Sequence, residues 1–171
     1  MTTQQMYLFN ALYVVLFVVV AILTRATRRR IAGAVTGGAV SGLAILGIIP
    51  LYEEMGLWHM VIPWEPHFLT LFVINGVLSG FVFLITWRIA RRFGWRGLAV
   101  VAVIAVVLGP VRDYSYMERF PEWGSYAPGF APVLGVSTAY VVFGVLGHAV
   151  MRLIAGPAGA DRLARRPWER A

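Results

Sequence analysis

Long uncharged blocks alternate with short clusters of arginine, acid and proline along the whole chain, and neither a period-2 alternation nor a broad polar helical face interrupts them. Five such blocks, at about 6–24, 31–52, 68–87, 98–114 and 133–154, predict an all-α bundle of five membrane-spanning helices. Residues 1–156 then form one membrane domain, and 157–171 a basic tail suited to anionic headgroups. The first block, nineteen residues long, reaches roughly 28 Å as a helix. It starts without charge and ends in Arg25-Ala26-Thr27-Arg28-Arg29-Arg30, the reverse of a secretory signal, so it reads as an uncleaved helix.

The fourth block is the short one. From Leu98 to Val111 it would cover only about 21 Å of a ~30 Å hydrocarbon core, so it must extend past Pro110, where a kink is expected, through Arg112-Asp113 to Tyr114. Beyond that, Tyr116, Phe120 and Trp123 recur on one side, and Ser115, Glu118, Arg119 and Glu122 on the other. This spacing predicts a short interfacial helix in the second external loop, limited by Pro121.

The second block carries the packing signal. Gly33, Gly37 and Ser41 recur at every fourth position, and Ala34, Gly38 and Gly42 form a neighbouring row. In lipid such rows let helix backbones approach closely, which places this helix at the bundle centre, with a dimer seam as the other reading. The third block offers Gly76-x-x-x-Gly80. One order of features, namely arginines, span, proline, acidic-aromatic loop, proline and return span, fits 28–92 and again 88–152. Read as a repeat, it describes two related hairpins about an axis along the membrane normal.

Composition narrows the class. At 59% hydrophobic and 13% charged, the chain is too apolar for a soluble domain of its size. The absence of cysteine removes disulfides, thiolate metal centres and cysteine nucleophiles. A net charge of +7 suggests nucleic acid in a soluble protein, but here the basic residues abut the spans, so nucleic acid is not an expected partner. All fifteen basic residues are arginine, as in GC-rich bacterial coding sequences. Thirteen fall on one side of the threading, against Arg112 and Arg119 on the other. That asymmetry puts the N-terminus outside and the C-terminus in the cytoplasm of a bacterial inner membrane. Glu53, Glu54, Glu65, Asp113, Glu118 and Glu122 are then external.

The densest chemistry lies between Pro50 and His67. Glu53, Glu54 and Asp113 are the candidates for general acid or base. Glu54, His59 and His67 are of the type that ligates zinc, iron or manganese. Their spacing, with Pro63 and Pro66 between, departs from the i, i+3 or i+4 pattern of helical metal sites, and no metal or other cofactor is called for. The same residues also read as the acids and imidazoles that a positive-inside protein leaves outside, with Trp58 and Trp64 as interface anchors. Paired glutamates at the end of a glycine-rich helix invite comparison with intramembrane proteases of the CPBP type. That motif places Arg where this chain has Trp58, and spaces its Phe and His by four where Phe143 and His148 are five apart. Inside the spans, Asn75 and His148 are the polar candidates. An interhelical hydrogen bond is the ordinary role for each, and a proton relay or haem ligation is the functional one for His148.

These readings converge on a small membrane protein without a catalytic centre of its own. Its external loops dock on each other and meet a ligand or partner through Trp58, His59, Trp64, Glu65, His67, Arg112 and Trp123. Arg112 and Arg119, as external cations, are expected to close this lid against Glu53, Glu54 or Glu65. Membrane lipids and either a second copy or another membrane protein are the expected partners. Two other classes make different demands. An enzyme acting on a lipid or isoprenoid, metal-assisted or not, needs carboxylates converging on a cavity open to the outer leaflet. A small transporter needs polar groups at the midplane, where the chain offers Asn75, Thr36 and Ser41.

Overall fold

The structure, a computed structural model, describes residues 2–156, and the expected basic tail lies outside the described residues. Four apolar stretches are long enough to cross a membrane: α1 (Thr3–Leu23), α2 (Arg28–Glu54), the 54-residue stretch Pro66–Arg119, and α5 (Ala131–Ala155). The 54-residue stretch comprises α3 (Pro66–Leu78) and α4 (Phe81–Arg119).

That long stretch is not straight. Gly94 has φ 62° and ψ −146°, backbone that an L side chain rarely adopts, and it divides α4 into two arms. The first arm sets Phe83 against Phe143 and Gly147 of α5, and Thr86 against His148. The second sets Val106, Gly109 and Arg112 against Ser137 and Tyr140 of the same helix. Phe83 and Arg112 would lie roughly 43 Å apart along a straight helix, whereas their partners on α5 fall within about 17 Å, so α4 folds back on itself. Gly97 returns over Ile89, whose Cγ2 would sit 2.6 Å from an added Cβ.

Helix α2 lies between its neighbours because its two small-residue rows face different ways. Along one row a Cβ at Gly33 would lie 3.0 Å from the Met151 carbonyl oxygen, and one at Gly37 2.5 Å from that of Gly147. Ser41 Oγ donates to the Phe143 carbonyl at 3.0 Å, so this row seats α5. Along the other, Gly38 meets the Gly76 and Val77 carbonyls, Gly42 meets Gly76, and the Ala34 carbonyl presses on Gly80. This row seats α3 and the start of α4. The third block is therefore not one uninterrupted helix, as the sequence pattern suggested. At Gly80, where α2 comes closest, the chain tightens into i→i−3 bonds from Gly80 N to Val77 O and Phe83 N to Gly80 O.

Prolines mark where the other helices bend or stop. Pro110 has no N–H for the carbonyl of Val106 four residues earlier, and Ser137 Oγ of α5 donates to that oxygen at 2.9 Å instead. With the orphan carbonyl satisfied, α4 continues to Arg119, and the separate interfacial helix expected from Ser115 to Trp123 does not form. Phe120, preceding Pro121, leaves the helix at φ −132° and ψ 70°, and only a single 3₁₀ turn, Pro121–Trp123, follows. Ser137→Ala is expected to cost about 1 kcal/mol by unpairing Val106. Thermal unfolding in detergent reads this, with Thr138→Ala, whose hydroxyl bonds only its own helix at Leu134, as the control.

Two buried clusters flank this frame. Toward the arginine-rich end, Ala34, Phe83, Leu84, Trp87 and Met151 pack together; toward the other, Met6 of α1 packs on Phe68 and Leu71 of α3. Asn10 Nδ2 fastens α1 by donating to the Leu71 carbonyl at 3.0 Å.

Candidate functional site

The two loops at the acidic end form one cap. β1 (Trp58–Met60) and β2 (Gly124–Tyr126) pair antiparallel, Trp58 opposite Tyr126 and Met60 opposite Gly124. Local rules deliver the strands to each other. α2 ends in a Schellman turn, Leu57 N to Tyr52 O and Gly56 N to Glu53 O, with Gly56 in the left-handed region at φ 69°, and this redirects the chain across the bundle.

Aromatic rings fill the cap. Trp58 is buried, packs on Tyr52 at 5.0 Å and on Tyr126 edge-on at 6.0 Å, and donates its indole N–H to the Ile49 carbonyl at 3.1 Å. Tyr114 stacks on Tyr126 at 4.3 Å. Trp123, also buried, stacks on Phe120 at 4.5 Å, meets Phe9 of α1, and donates to Gln5 Oε1. Gln5 in turn donates to Glu122, so the start of α1 is tied to the second loop. The backbone N–H of Glu122 and, second, that bond from Gln5 lower its carboxyl below the usual range. Burial, with the Asp113 carboxylate second, pushes the Tyr126 phenol far above its ordinary range, so it stays protonated at any physiological pH.

The candidate residues fall in separate places. Glu53 pairs with His59, Oε1 to Nδ1 at 2.5 Å, with the imidazole side chain 71% exposed, a contact of small energetic weight. Glu54 is exposed at the end of α2. Trp64 is 57% exposed, and Glu65 precedes α3 at its N-cap without a side-chain capping bond. His67 shares a hydrogen bond with Tyr7 at 3.0 Å. Glu54, His59 and His67 are therefore not gathered as a ligand set, and no group of three such residues fit for a metal occurs among the described residues.

Arg112 does not close the lid on Glu53, Glu54 or Glu65. It donates to the Tyr140 hydroxyl at 2.6 Å, and Tyr140 donates to Asp113 Oδ1 at 2.8 Å. Arg112 also lies 3.7 Å from Asp113 and over the Tyr116 ring. The expectation failed because neighbours one turn apart on a helix and a tyrosine across a glycine are closer partners than a carboxylate on another loop. Gly109 lies directly under the Tyr140 ring and lets it reach that far. In the spans, His148 Nδ1 meets Thr86 Oγ1 at 2.9 Å, an interhelical bond. Asn75 Nδ2 is buried without a partner, and Asn10 supplies the interhelical amide bond instead.

Several residues of this architecture carried no sequence signal as functional: Gln5, Tyr114, Tyr126, Tyr140 and Thr86. Compared with protein families, curated proteins and solved structures, the chain has no match, so function is argued from this geometry.

Proposed function

We propose that the chain is a five-span protein of a bacterial inner membrane, N-terminus outside and C-terminus in the cytoplasm, that works by binding and presents its pre-assembled outer cap to a partner. The arginine asymmetry supports the orientation, and the fold-back at Gly94 supports counting Pro66–Arg119 as two crossings. The observation that carries the binding reading is the state of the capable side chains. Glu53 is engaged by His59, Asp113 by Tyr140, His67 by Tyr7 and Trp123 by Gln5, while two cavities of the bundle are lined by no carboxylate among the described residues. An enzyme acting on a lipid would need those acids to converge on open space. A transporter would need its polar residues to converge, whereas Ser41 is spent on Phe143 and Thr36 is exposed on the outside of α2.

The cap leaves Val61 and Trp64 exposed on its first loop, with Glu54 and Glu65 on either side in sequence. An aromatic anchor with acidic neighbours suits a partner segment that carries cations next to apolar side chains, whether of another membrane protein or of a second copy. A photo-crosslinking residue at Trp64 in intact cells is expected to give a discrete protein adduct, weakened several-fold by Glu65→Arg. Lipid adducts alone would make Trp64 a membrane anchor and end the binding reading. A cysteine at Ser125 should react with an impermeant thiol reagent added outside, and one at Ala160 should not; the reverse pattern would invert the threading.

A further inference from the structure

The larger cavity lies at the opposite end of the bundle from the cap. It has a volume of about 540 Å³ and is lined by Arg25, Arg30, Arg88, Arg91 and Arg92, with Trp87 among them. Among the described residues no carboxylate lines it, and every acid of theirs belongs to the outer loops or the ends of the helices that meet them. Five guanidiniums around one cavity repel one another, and no acid of the described residues is placed to relieve that repulsion.

Helix-end chemistry accounts for part of this cluster. Arg88 Nη1 reaches the Leu23 carbonyl at 3.3 Å and Arg29, outside the cavity, reaches that of Ile154, each capping the last turn of a helix. Arg25, Arg30, Arg91 and Arg92 have no such duty. Arg30 stacks over the Trp87 ring at 4.1 Å, with Arg91 at 5.8 Å, so the indole orients their planar forks. The indole nitrogen of Trp87 is itself buried and has no hydrogen-bond partner among the described residues.

The backbone supplies an independent observation. α1 ends in a Schellman turn, Ala26 N to Ala21 O and Arg25 N to Ile22 O, of the same kind that ends α2. α2 uses Gly56 at the left-handed position; α1 uses Arg25, at φ 48°. A non-glycine residue there is strained, and strain of this kind persists where the side chain is needed.

We propose that this pocket binds a phosphate-bearing anion, with Arg25, Arg30, Arg91 and Arg92 as its forked donors. Guanidinium forks match phosphate oxygens two at a time, and the cavity holds more than a single phosphate group. Two sources share this chemistry: the headgroup of an anionic phospholipid and a soluble phosphate compound.

The test uses the full-length protein in detergent. Native mass spectrometry and thermal unfolding are followed on adding phosphatidylglycerol or cardiolipin, phosphatidylcholine, and separately inorganic phosphate or pyrophosphate. A lipid site gives retained anionic lipid and a raised unfolding temperature that phosphatidylcholine does not reproduce; a soluble site responds to pyrophosphate at least as well. Arg91→Gln and Arg30→Gln should each weaken the effective ligand about tenfold, and Arg96→Gln, outside the cavity, should leave it unchanged. Arg25→Gly separates binding from folding. It relieves the backbone, so the unliganded protein unfolds no earlier, while the ligand-induced shift shrinks. Equal response to all lipids with none to phosphate, or ligand shifts that survive Arg30→Gln and Arg91→Gln together, would overturn the proposal.

Discussion

Gly38→Leu is expected to destabilise the bundle by about 3 kcal/mol or more, the upper range for overpacking a filled interior. The first carbon of the new side chain would sit 2.6 Å from the carbonyl oxygens of both Gly76 and Val77 and 3.1 Å from the amide nitrogen of Gly80. All three are backbone atoms, so no neighbouring side chain can rotate away. Either α2 separates from α3, unpacking the row through Gly42 and Gly80 with it, or the helix bends. Gly47 is the internal control on the same helix, since an added Cβ there meets nothing within 4 Å. Gly47→Leu should be tolerated, or slightly stabilising, because glycine in a helix interior is itself unfavourable by roughly 0.5–1 kcal/mol. Unfolding temperatures in detergent decide it: if Gly38→Leu and Gly47→Leu unfold together, α2 does not occupy the centre of the bundle.

The contrast between those two glycines shows what the sequence made legible. In lipid, close helix packing is written in residue size, and size is visible at one position every turn. The rows Gly33, Gly37, Ser41 and Ala34, Gly38, Gly42 therefore pointed to a central helix, and Gly76-x-x-x-Gly80 proved to be the other side of one contact. The docking of the two loops at the acidic end was expected, but on the ground that Arg112 and Arg119 would pair with Glu53, Glu54 or Glu65, whereas the pairing of β1 with β2 is what joins them. Who pairs with whom was not legible. Arg112 had three carboxylates on other segments to choose from, and it settles instead on Tyr140 and the adjacent Asp113 of its own helix, because a glycine on α4 lets the tyrosine ring reach across. Charge complementarity is long-ranged and unspecific; hydrogen-bond geometry is short-ranged and depends on registers between helices that a single sequence does not encode locally. The same holds for the break at Gly80, decided by a neighbouring helix; the course past Pro110 was expected as far as Tyr114, and only its run on to Arg119 was not. The arginine cavity was hidden by its own explanation, for a positive-inside block needs no further function until its guanidiniums are seen to face one another.

Trp58→Ala should cost about 3–4 kcal/mol and should open the cap. Large buried aromatics truncated to alanine lose about 3–5 kcal/mol, and Trp58, 6% exposed between Tyr52 and Tyr126, belongs in that range. Its removal also withdraws the N–H donated to Ile49, next to Pro50, where the α2 ladder is already interrupted. Trp58→Phe keeps a ring in the slot and loses only that donor, so it should cost about 1 kcal/mol, which separates packing from hydrogen bonding. Since β1 and β2 meet at Trp58 and Tyr126, the damage should be felt on the far loop. A cysteine at Tyr126, half-buried in the parent, should become several-fold more reactive toward an added thiol reagent in the Trp58→Ala background, while one at the exposed Leu12 of α1 should not change. The crosslink expected from Trp64 should weaken in parallel, because a partner that reads a rigid surface loses affinity when that surface must first be reassembled. If Trp58→Ala destroys the crosslink but leaves Tyr126 protected and the unfolding temperature within a degree of the parent, then Trp58 is a direct contact for the partner and the cap is held shut by the Trp123, Phe120 and Gln5 cluster instead.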